Sequence, residues 1–95
     1  TRHKRDVLDR AITDLMSLYR DVAVTQTGAS VPLVNVAHEG HVRELAGRTE
    51  LADTMRCLDA LGTARTRLAG NVAPLLALEA MALALRPRTA PAHRG

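Results

Sequence analysis

His38-Glu39-Gly40-His41 is the stretch whose residue types most readily suggest chemistry. Zinc peptidases carry H-E-x-x-H, two imidazoles one helical turn apart with the glutamate as base. Here the spacing is one residue short, and no third ligand stands at a matching interval. Solvated residues in the first turn of a helix explain the run. Nucleophilic catalysis would need Cys57, or a serine, activated by a histidine. Cys57 falls beside an apolar helical stripe, where a small buried thiol is the ordinary role, while His3 and His93 lie near the chain ends. No G-x-x-x-x-G-K-[ST] run cradles a phosphate. A small helical mutase of the chorismate type would gather arginines and lysines around a dianion, but Lys4 is the one lysine and the arginines stand next to acids. These readings leave no catalytic residue, no metal ligand and no cofactor-binding residue.

Glu79 is the sharper feature. It is the one charge between Leu75 and Leu85, among residues that are otherwise Leu, Ala or Met, all strong helix formers. A carboxylate buried there without a partner would cost several kcal/mol. Arg20, Arg65 and Arg67 are the candidate cations, with an exposed edge as the alternative. Pro74 suits the first turn of this helix, Arg86 suits its C-terminal end, and Pro87 stops it. A helix without a polar face is expected to be enclosed by other helices. Its six large apolar side chains would then contribute on the order of 10 kcal/mol gross. A membrane span needs roughly 20 apolar residues, and this run is far shorter. Any part that so small a body leaves uncovered would face a partner.

The 95 residues suffice for a single core. With one Tyr and no Phe or Trp, that core is built from Leu, Ala, Val and Met, which suits close-packed helices better than a sheet. The expected fold is all-α, a bundle of four to five helices with a buried C-terminal helix. Thr1 in place of Met suggests a piece of a longer chain, and no signal-peptide pattern is present. The single cysteine suits a reducing compartment, with cytoplasm as the default. A net charge of +3 invites a nucleic-acid reading. Six of the 13 basic residues, however, lie in the two ends, and the remaining seven face all ten acids, which leaves the body at −3. That distribution argues against a DNA-binding face. A true phosphate binder would lose affinity steeply with salt.

Residues 1–5 read as a basic lead-in, 6–86 as the helical domain and 87–95 as a disordered tail. Leu8, Ile12, Leu15, Leu18 or Tyr19, and Val22 recur at helical spacing, and Gly28 is placed to end that first helix. Asn35 is the expected N-cap of a short second helix bearing Val42, Leu45 and Ala46, which Gly47 ends or weakens. Thr49 is the expected cap of a third, whose stripe is Leu51, Met55, Leu58, Leu61 or Gly62, Leu68 and Val72. Gly62 either breaks that helix or marks a close approach. Gly70-Asn71 closes it in a conformation that tolerates a left-handed turn.

Leu18-Tyr19-Arg20-Asp21-Val22, then Gly28-Ala29 and Leu33-Val34-Asn35, resembles a stretch of the delta-prime subunits of bacterial DNA polymerase III clamp loaders. Ala64-Arg65-x-Arg67-Leu68-x-x-Asn71-Val72-x-Pro74-x-Leu76-x-Leu78-Glu79-Ala80 is similar to the end of the C-terminal collar domain that delta-prime shares with gamma/tau. The first run tips the resemblance toward delta-prime. It implies an oligomerisation domain packed against the gamma/tau and delta collar domains in a pentameric ring that loads the sliding clamp onto DNA. It implies no ATP hydrolysis by this segment, and the charge distribution separately speaks against direct DNA contact. Tyr19, Arg20, Asp21, Asn71, Pro74 and Glu79 carry over as scaffold or interface residues only. The rival reading is a stand-alone helical adaptor unrelated to replication, and self-association of the isolated chain is a further possibility.

Overall fold

The computed structural model describes residues 2–70 and 72–87. Its elements are α1 (Arg2–Thr27), a 3₁₀ turn (Val36–His38), α2 (Glu39–Arg48), α3 (Leu51–Ala69) and α4 (Pro74–Leu85), with no strand among the described residues. The chain is a small all-α bundle. α3 is its hub, packing on α1 and on α4, while α2 lies against α1. The Cα extents of 41 × 37 × 16 Å describe a slab only one to two helix diameters deep, at about 10 Å each.

α1 begins at Arg2, so the expected lead-in is its first turn. Arg5 accounts for the extension. Its Nη1 donates to the Leu68 carbonyl at 2.6 Å, near the end of α3, where a cation offsets the negative end of the helix dipole. Ile12 from α1, Leu61, Ala64 and Leu68 from α3, and Ala77 from α4 form the buried cluster, flanked by Leu8, Met16, Tyr19, Leu78, Met81 and Leu85. Leu15, Leu51 and Met55, expected in the stripes, are exposed instead. Gly28 ends α1 at φ +73, with its N–H donating to the Thr25 carbonyl at 3.2 Å.

Neither expected side-chain cap forms. Asn35 turns its amide toward Ser17 and Asp21 on α1. The Thr49 hydroxyl donates to the Leu45 carbonyl at 2.9 Å and accepts from Gln26 Nε2 at 3.1 Å, and Glu50 takes the cap position in extended backbone. Gly47 lies inside α2. Gly70 closes α3 at φ −93, outside the left-handed region, while Asn71 and residues 88–95 lie outside the described residues.

α3 runs unbroken through Gly62. A Cβ there would stand 3.9 Å from Met16 Cε, an ordinary contact. Gly62→Ala is therefore expected to stabilise the fold by about 0.4–1 kcal/mol, through lost freedom of the unfolded chain. A thermal scan should show Tm rising by several degrees; a fall would mean that α1 and α3 approach more tightly than this contact indicates.

α4 corrects the expectation of an enclosed helix. Pro74 opens it, and Arg86 leaves it in extended backbone ahead of Pro87. Ala77 is its one buried residue. Leu78, Met81 and Leu85 pack against the core cluster, but Leu75, Leu76 and Leu83 remain 67, 60 and 65% exposed. The reason is the slab itself, since α4 packs chiefly on α3 and no described element covers its outer face. Much of the gross burial energy expected of this helix is not realised among the described residues.

Candidate functional site

A polar cluster surrounds Asp21, on α1 at a position with no solvent exposure. Its Oδ1 accepts from the Val34 N–H at 2.9 Å and from Arg20 Nη1 at 3.1 Å. Its Oδ2 accepts from both the N–H and the side-chain amide of Asn35, each at 2.7 Å. Burial disfavours the charge, but donation from Val34, Asn35 and Arg20 outweighs it and holds the carboxyl below its ordinary range. Arg20 also reaches the Pro32 carbonyl at 3.4 Å. These bonds fasten the segment between Gly28 and the 3₁₀ turn to α1. Every acceptor position is occupied by the protein's own donors, so the cluster is a staple and has no room for substrate chemistry.

Tyr19 lines a cavity of about 250 Å³ with Leu45, Thr54, Arg56, Cys57 and Leu85. Burial, and after it the neighbouring Cys57, pushes the phenol above its ordinary range, so it remains a neutral hydroxyl at neutral pH. Arg56 crosses from α3 to α4, where Nη1 donates to the Ala84 carbonyl. Its Nη2 stands 3.8 Å from Asp53 Oδ1, and its buried Nε has no partner among the described residues. Arg56, like Arg5, places a guanidinium at the carbonyl end of a distant helix. No spacing along the chain announces either bond, because the partners are 28 and 63 residues away.

His38 and His41 are exposed, with ring centroids 6.3 Å apart. Between them Glu39 accepts from Arg43 at 2.9 Å, an i,i+4 pair along α2. Among the described residues no three His, Cys, Asp or Glu side chains come together as a metal site would require.

Glu79 does not meet the arginines expected for it. Arg20 pairs with Asp21 at 3.1 Å, and Arg65 forms a two-bond pair with Asp9 at 2.8 and 3.3 Å that ties α3 to α1. Glu79 points outward and is solvated. On a helix its neighbours are three and four residues away: Leu75 and Leu76 on one side, Ala82 and Leu83 on the other. All four are exposed. The structure therefore separates the residues singled out from the sequence. Arg20 and Asp21 serve the staple, Tyr19 the cavity and Pro74 the start of α4. Glu79 sits at the centre of an uncovered leucine face. Among the described residues no helix is long and apolar enough to cross a membrane.

No family model, curated protein or solved structure matches the chain.

Proposed function

We propose that this chain is an assembly domain, and that the outer face of α4 is where a neighbouring helical domain packs. The observation that carries the reading is the exposure of Leu75, Leu76 and Leu83 on one face of one helix. Large apolar side chains gathered in a patch mark contact surfaces, whereas scattered ones do not. The absence of a free nucleophile–base pair from the Asp21 and Tyr19 clusters fits a structural role.

The resemblance to delta-prime subunits makes the proposal concrete. The domain belongs to the collar of a clamp loader, holds its subunit beside gamma/tau and delta, and contributes no catalytic group of its own. Work in bacterial DNA replication places it in the cytoplasm. The test is to mix the chain with the gamma/tau and delta C-terminal domains and measure mass in solution. The reading expects a species heavier than any component. Separate components at tens of micromolar would overturn the clamp-loader assignment.

A further inference from the structure

We infer that Glu79 sets which partner α4 accepts: it bars a second copy of this chain and selects a helix that carries a lysine or arginine opposite it. The inference rests on the reading of α4 as a contact surface and goes beyond it. The placement of one charge at the middle of the leucine face is what carries it. Two-fold symmetry makes each residue's neighbour depend only on where the axis falls.

With antiparallel helices and the axis at Glu79, Leu75 meets Leu83 and Leu76 meets Ala82. This register puts all the exposed leucines in contact, and it also sets the two Glu79 carboxylates against each other. A parallel pair in register does the same. Moving the axis between Ala82 and Leu83 brings Glu79 opposite Arg86 and removes the repulsion. Leu75 and Leu76 then lie beyond the partner helix, which ends at Leu85, so the apolar contact is largely lost. Each of these three self-pairings therefore sacrifices either the charge or the leucines. A different helix with a cation at the matching position keeps both. Such a repulsive element is how specific helix pairs exclude the wrong partner.

The chain itself, carrying Glu79→Lys, serves as the probe for a cationic helix. Glu79 is exposed and no hydrogen bond or ion pair to it is present among the described residues, so the variant should fold, as circular dichroism can verify. Masses are measured by sedimentation equilibrium at roughly 0.1 mM, where weak pairs register. The unaltered chain and Glu79→Lys should each be monomeric alone. Their equimolar mixture should show a two-chain mass, reduced when Leu76→Asp is placed in either. Glu79→Leu, which completes the apolar stripe, should double in mass by itself.

A two-chain mass for the unaltered chain that Leu76→Asp abolishes would overturn the inference, with a second copy as the occupant. Monomers throughout, for the mixture and for Glu79→Leu, would overturn it equally. Either result leaves the reading of α4 as a contact surface to be judged separately, by whether Leu76→Asp blocks association with the clamp-loader domains.

Discussion

Asp21→Ala destabilises the fold by about 2–4 kcal/mol, because it takes a fully enclosed carboxylate away from its donors. The loss leaves the Val34 and Asn35 N–H groups without their acceptor, and a donor that water does not reach then costs about 1–3 kcal/mol. Asn35 keeps its bond to Ser17 Oγ at 3.1 Å, so the total falls short of a simple sum. Against a domain stability of about 5–15 kcal/mol, such a change lowers Tm by roughly 10 °C or more. Asp21→Asn separates charge from shape: one half of the new amide still accepts, while its NH₂ faces donors, so the loss is smaller but still measurable. Hydrogen exchange should show the Val34 and Asn35 amides losing protection first. Acid should act in the same direction. A carboxyl whose folded pKa is lowered contributes fully above its unfolded value of about 3.9 and loses that contribution as pH falls through the lower folded value. The stability gap between the wild-type chain and Asp21→Asn should therefore be flat from neutrality to about pH 4 and shrink below it. A gap of under about 0.5 kcal/mol at pH 7, the range of ordinary surface substitutions, would remove the staple from the account.

What could be read from the sequence was local. Gly28, Pro74 and Pro87 act through their own φ angles, and the stops and starts they imply are present in the structure. The stripes of α1 and α3 follow from helical spacing, so their existence and the all-α class were legible. Asn35 and Thr49 show where this reasoning stops. Each is a good capping residue, but each is drawn to a stronger partner on another element, Asp21 for one and Gln26 for the other. Arg65 and Asp9 meet across 56 residues of chain, so one of the three arginines proposed for Glu79 was already taken. α4 failed for a different reason. Uniform apolarity says that a helix is able to be buried, but whether anything covers it depends on how many elements surround it. Among the described residues none lies beyond α4. The resemblance that singled out Tyr19, Arg20 and Asp21 together gave no sign that only Asp21 would be wholly enclosed.

Leu76→Asp combined with Leu83→Asp is expected to weaken association with the proposed partner domains at least 100-fold while leaving the monomer folded. Both residues are more than half exposed, so the isolated chain loses little packing, and Tm should move by no more than a few degrees. Leu61→Ala is the contrast, because that side chain is wholly enclosed at the centre of α3. Deleting it costs about 2–5 kcal/mol and damages fold and association alike. At the outer face of α4 the two effects separate. A carboxylate forced into a closed apolar contact must be desolvated without a partner, and where the leucine it replaces is a hot spot at the centre of the contact the loss is about 2 kcal/mol or more. Two such sites give well over the 2.7 kcal/mol that corresponds to about 100-fold. Loss of the heavier species with circular dichroism and Tm intact would locate the contact on α4. Retention of that species would move the contact elsewhere on the slab, and the exposed leucines would then need another explanation.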